Sequence, residues 1–121
     1  MTVTTPSWIG DLLASIDGMD ADKFVSFITD DAKFRYGSNP PVAGKAAIRE
    51  YVAQFFGMFK GVRHELLGMW SHPDAVLVQG DVTYVGHDGS ELTLPFLNCL
   101  KMCGDKVQDY LIYIDPTPLA G

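Results

Sequence analysis

The spacing of apolar residues changes once along the chain, near residue 61, and this change constrains the fold more than any other feature. Before it the pattern is helical. Trp8, Ile9, Leu12, Leu13 and Ile16 form one stripe, preceded by capping and first-turn residues at Thr5, Pro6 and Ser7 and closed by Gly18. Asp20 and Asp22 suit the start of a second helix carrying Phe24, Phe27 and Ile28. Residues 32–36 read as extended and 37–44, with Pro40-Pro41, as a loop. Residues 45–60 form the longest predicted helix, with Ile48, Val52, Phe55, Phe56 and Phe59 on one stripe and Gly61 as its stop.

After residue 61 the pattern is that of strands, expected at 62–71, 75–85, 90–102 and 106–115 and joined by short turns that imply an antiparallel meander. Gly68 and Gly80 interrupt long strands, as glycines do where a sheet bends sharply, and Pro95 marks an edge or bulge. Three N-terminal helices followed by these strands make an α+β layer arrangement in one domain spanning residues 1–121, with a curved antiparallel sheet closing over the helices. Val76, Val78, Gly80, Val82 and Tyr84 alternate toward the helices. In the last strand Tyr110, Ile112 and Ile114 lie on one face and Leu111 and Tyr113 on the other, so both faces need cover, and a homodimer through the outer face is the simplest.

Composition narrows the partners. With 9 Lys plus Arg against 15 Asp plus Glu the formal charge is −6, which repels phosphate backbones, so no nucleic acid partner is expected. No apolar run reaches the ~18 residues of a membrane helix, and Met1 to Gly10 lacks the pattern of a signal peptide, so no membrane association and a cytoplasmic location are expected. Cys99 and Cys103 lack metal-site spacing and read as reduced packing residues. His72 and His87 sit in turns without ligand company, so no metal is predicted.

The order of elements, the segment Gly44-Lys45-Ala46-Ala47-Ile48-Arg49-Glu50 opening the long helix and Asp30-Asp31-Ala32 before the first strand together resemble the nuclear transport factor 2-like (cystatin-like) superfamily. Pro40-Pro41, Arg63-His64-Glu65, Leu94-Pro95-Phe96 and Tyr113-Ile114-Asp115-Pro116 are similar to segments of its SnoaL-like, polyketide cyclase-like domains. The resemblance spans nearly the whole chain and implies a cone-shaped cavity for a small apolar molecule, chemistry without a cofactor and frequent dimers. It does not imply one reaction. The ketosteroid isomerases of the superfamily match at the start of the long helix and around Pro95, yet their tyrosine donor falls on Leu12, their aspartate base on Tyr36 and their second aspartate on Asn98. Limonene-1,2-epoxide hydrolase matches in length and in the loop, but its Asp-Arg-Asp set falls on Gly80, Val82 and Ile112 and its water-holding residues on Phe34 and Tyr36. Neither activity carries over. The histidines, tyrosines and asparagine of scytalone dehydratase are loosely similar to Tyr36, His64 and Asn98.

These three are the candidate catalytic residues. His64 lies in phase with Leu66, Gly68 and Trp70, which places it inside, and an imidazole can take and return a proton near neutrality. Its competing role is that of a buried histidine tying the sheet to a helix. Asn98 stands in an apolar strand where an unpaired amide is costly, so it either polarises a ligand oxygen or bonds a neighbour. Tyr36 ends the first strand and offers a phenol to the same cavity, or a core ring with its hydroxyl at the rim. Phe34, Phe56, Met58, Trp70, Tyr84, Phe96, Tyr110 and Ile112 are the expected pocket walls. Asp20, Asp22, Asp30 and Asp31 read as caps and loop charges, and Asp109 and Asp115 as outer-face residues. The expectation is a cofactor-free acid–base enzyme of the cyclase, dehydratase or isomerase type acting on a small hydrophobic molecule. The alternatives are a noncatalytic ligand-binding protein or a dimerisation module of the same fold.

Overall fold

The computed structural model describes residues 7–120; the caps expected at Thr5 and Pro6 lie outside that range. The described elements are α1 (Ser7–Asp17), α2 (Ala21–Val25), β1 (Ile28–Tyr36), β2 (Val42–Ala43), α3 (Lys45–Gly57), β3 (Gly61–His72), β4 (Ala75–Val85), β5 (Glu91–Cys103), β6 (Lys106–Ile114) and α4 (Thr117–Ala120). The strands form one curved sheet in the order β2-β1-β6-β5-β4-β3. Ile9, Leu12, Phe24, Ile48, Val52 and Phe56 from the helices pack with its inner face in a single core.

Two features differ from the sequence expectation. The sheet is mixed, because β1 runs parallel to β6 while its other neighbour, β2, is antiparallel. From β3 onward each strand joins the next through a short turn, but β1 is separated from β6 by the rest of the domain, and nothing obliges such distant strands to run in opposite directions. Among the described residues there are four short helices rather than three, the fourth being the single turn α4 that follows Asp115-Pro116.

Element ends are set by local bonding. Asp20 caps α2 by accepting the Lys23 N–H at 3.0 Å, and Ser26 closes it with its hydroxyl on the Lys23 carbonyl, so the helix stops before Phe27 and Ile28 already begins β1. Gly44 opens α3 at φ +93°, a conformation that L side chains rarely adopt, while its N–H is held by the Ala32 carbonyl. The helix ends at Gly57 instead of Lys60. Met58 and Phe59 donate back to Phe55 and Phe56 in a tightened last turn, and Lys60 N–H already bonds Val85 across the sheet.

A bulge in β3 decides which side chains face the interior. Leu66 pairs with Gly80 and Gly68 with Gln79, leaving Leu67 as the extra residue. His64 and Leu66, before the bulge, share the inner face with Val82 and Gly80; Trp70, after it, pairs with Leu77 on the outer face. The strands come so close here that a Cβ at Gly80 would overlap the Glu65 carbonyl oxygen. Only glycine fits there.

Candidate functional site

The inner face of the sheet can be read off the pairing, because cross-strand partners share a face. One row is Tyr36, Ile112, Asn98 and Val78; the next, away from Ile114, is Phe34, Tyr110, Leu100 and Val76. On the other side lie Ile114, Phe96, Gly80 and Leu66, then Leu94, Val82 and His64. Between these rows and the helices is a cavity of about 50 Å³, walled by His64, Asn98, Tyr36, Tyr84, Tyr110 and apolar side chains. Tyr36, Phe55 and Ile114 also border a second, open groove of about 670 Å³ that is completed by Met58, Asp115 and Leu119.

His64 is the one imidazole on the cavity wall, and it is held by a carboxylate from another element. Asp17, the last residue of α1, accepts from the His64 backbone N–H through Oδ2 at 3.1 Å, and its Oδ1 lies 2.6 Å from His64 Nδ1. The ring side chain is 9% exposed and stands edge-on to Phe96 at 5.3 Å. With Asp17 ionised, Nδ1 carries the proton of the bond and Nε2 is the nitrogen left to exchange one with a ligand. Among the described residues no side chain bonds to Nε2. A carboxylate fixing the tautomer and orientation of a histidine is the usual support of a general base.

The other polar groups are phenols and one amide. Tyr36 and Tyr84 hydroxyls meet at 2.8 Å. Burial pushes the phenols of Tyr36, Tyr84 and Tyr110 above the ordinary tyrosine range, so they act as neutral groups at physiological pH. Asn98 Oδ1 and Tyr110 OH are buried without a partner among the described residues. His64, Asn98, Tyr36, Phe34, Phe56, Tyr84, Phe96, Tyr110 and Ile112 therefore all stand on the cavity wall.

Two expected wall residues stand elsewhere. Trp70 is 56% exposed because the β3 bulge reverses its phase, and its indole lies over Gly68 on the outer face. Met58 is 63% exposed because α3 ends one residue before it; it borders the open groove instead. Asp81 pairs with Glu65 and Pro95 on the outer face.

Asp17 is the residue that sequence reading missed. Its signal was its position: a carboxylate in the last turn of a helix opposes the helix dipole, at a cost of about 0.3–1 kcal/mol, and no basic residue accompanies it there. A residue placed against its local preference points to a tertiary role. Among the described residues no cluster of three metal-ligating side chains occurs, and no helix is long and apolar enough to cross a membrane.

Residues 9–110 match the SnoaL-like domain, and the chain belongs to that family. No curated protein matches the sequence. Among solved structures, a hypothetical protein of ketosteroid isomerase-like fold from Catenulispora acidiphila DSM 44928, in complex with trimethylamine, superposes with a TM-score of 0.83 at 15% identity, covering 91% of this chain and 86% of that one. TerC, co-crystallised with polyporic acid, gives a TM-score of 0.81 at 21% identity over 94% and 93% of the two chains. A candidate SnoaL-like polyketide cyclase from Jannaschia sp. CCS1 gives 0.81 at 17% identity over 99% and 95%. These likenesses, with those to solved proteins described as NTF2-like, show a nuclear transport factor 2-like fold with a curved sheet and helices.

Proposed function

We propose that this protein is a cofactor-independent acid–base enzyme of the cyclase, dehydratase or isomerase type that acts on a small hydrophobic molecule. The observation that carries this reading is the 2.6 Å contact between His64 Nδ1 and Asp17 Oδ1 at the wall of an apolar cavity. His64 moves the proton through Nε2, and positioned proton transfer of this kind contributes about 10² to 10⁴ in rate. Asn98 binds the substrate oxygen, and Tyr36, bonded to Tyr84, supplies a neutral phenol nearby. The small molecules held by TerC and by the Catenulispora protein support a ligand in this fold. The working unit is a cytoplasmic homodimer closed through the outer face, where Trp70 and Tyr113 are more than half exposed.

The 50 Å³ interior favours a second reading, a binding or dimerisation module without chemistry, because a water needs roughly 10–15 Å³ and a drug-sized ligand about 300 Å³ or more. The first reading answers it through the open groove: the reacting end of the substrate enters the cavity and the remainder lies between Met58 and Leu119. The deciding experiment extracts any apolar molecule that copurifies with the protein and returns it to wild type, His64→Gln and Asp17→Asn in D2O. Loss of water or isomerisation with deuterium uptake by wild type, and a drop of about 10² or more in His64→Gln, supports the enzyme. Equal conversion by His64→Gln removes the proposed base, and tight binding without conversion by wild type establishes the second reading.

A further inference from the structure

Two cavity groups take no part in the side-chain hydrogen bonds the protein makes with itself among the described residues. Asn98 is 3% exposed and Tyr110 is 1% exposed, and among the described residues neither Asn98 Oδ1 nor the Tyr110 hydroxyl has a hydrogen-bond partner. An unmade bond to a buried polar atom costs about 1–3 kcal/mol, so two such atoms in one cavity call for a partner that both can bond. They are also neighbours. Asn98 pairs with Ile112 and Leu100 with Tyr110, which puts Asn98 and Tyr110 on diagonal positions of the inner face of adjacent antiparallel strands. Such diagonal residues have Cβ atoms about 7–8 Å apart or somewhat less, within reach of an aromatic side chain, and both line the same cavity.

We infer that Asn98 and Tyr110 form a subsite for a single hydroxyl group, and hence that the ligand is a small apolar molecule bearing an alcohol or phenol. This inference rests on the small-molecule reading above and names its substrate class. The chemistry follows from the inventory of donors and acceptors. Tyr110, kept neutral by burial, donates its O–H, and Asn98 Oδ1 accepts. One hydroxyl can accept from the first and donate to the second. A ketone oxygen has no hydrogen for Asn98 Oδ1, and a hydrocarbon satisfies neither atom. Sites built to bond a hydroxyl discriminate strongly against analogues that lack it, because the buried groups are then left unpaired. The lining contains no Lys or Arg, so no permanently charged cation favours an anionic oxygen instead.

The test compares phenol with toluene, which are close in size and shape. Toluene is the more apolar, so a cavity whose polar atoms need no partner binds it more tightly. Calorimetric titration of the wild-type protein is expected to show phenol binding at least tenfold tighter than toluene. In Tyr110→Phe and Asn98→Leu that preference disappears while toluene affinity is kept, which also shows that the cavity still folds. Toluene binding as tightly as phenol to wild type, or a preference for phenol that survives both substitutions, overturns the hydroxyl subsite and leaves the small-molecule reading standing. Absence of binding by either probe overturns the hydroxyl subsite.

Discussion

Asp17 ends α1 with both carboxylate oxygens committed to one residue of β3: Oδ1 is 2.6 Å from His64 Nδ1 and Oδ2 accepts the His64 backbone N–H at 3.1 Å. The same side chain thus fixes the strand against the helix and sets which imidazole nitrogen meets the cavity. Asn can replace Asp in the backbone contact, but its amide holds the ring less strongly and without charge. Asp17→Asn is therefore expected to lower turnover by about 10² or more while changing unfolding free energy by about 1 kcal/mol, the carboxylate being one-third exposed. Urea denaturation read beside substrate turnover separates the two effects; a parallel collapse of both would make Asp17 purely structural.

Gly80 and Gly10 make an opposed pair. Alanine at Gly80 drives a methyl into the Glu65 carbonyl where β3 bulges, whereas alanine at Gly10, inside α1, meets nothing within 4 Å. Gly80→Ala is expected to cost about 3 kcal/mol. Gly10→Ala is expected to gain about 0.5–1 kcal/mol from helix propensity. Denaturation midpoints at constant m-value check both, and a neutral Gly80→Ala would mean the strands do not approach as described.

The buried phenols set a limit on alkaline stability. Tyr36, Tyr84 and Tyr110 hold their protons more tightly in the folded chain than in the unfolded one. Their contribution is complete below the unfolded value of about 10 and is lost as pH rises above it, because the unfolded chain then releases protons that the folded chain keeps. Stability should fall between about pH 10 and 12, with tyrosinate absorbance at 295 nm from these residues appearing together with unfolding. Tyr110→Phe breaks no protein hydrogen bond and should flatten the fall; an unchanged slope would place the proton loss elsewhere.

The outer face carries the proposed homodimer. Trp70 at 56% and Tyr113 at 58% exposure lie on the sheet face away from the helices, with Leu77, Cys99 and Leu111 along the same side of the paired strands. Trp70→Glu is expected to convert a dimer to a monomer with an unchanged far-ultraviolet spectrum, measured by light scattering after gel filtration. A wild-type protein that is already monomeric contradicts the proposal.

Much of this was legible because period follows burial. The alternation Val76, Val78, Gly80, Val82, Tyr84 read from the sequence is the set that β4 buries, since no irregularity interrupts that strand. Trp70 was misplaced because a bulge shifts phase by one residue and leaves no apolar signature of its own; only the paired glycines hinted at it. The parallel pairing of β1 with β6 was invisible, being a contact between distant segments with no connecting turn to read. His64, Asn98 and Tyr36 could be singled out as polar residues in apolar surroundings. Asp17 could not be joined to His64, because their contact spans 47 residues and two elements and depends on the helix ending where it does.

Nitrogen-15 NMR of the His64 ring tests the central claim most directly, that Asp17 holds the proton on Nδ1 and leaves Nε2 to act in the cavity. The account predicts that the neutral ring is the Nδ1–H tautomer, with a strongly hydrogen-bonded Nδ1 proton that is lost in Asp17→Asn. A neutral ring protonated on Nε2, unchanged by Asp17→Asn, would contradict it.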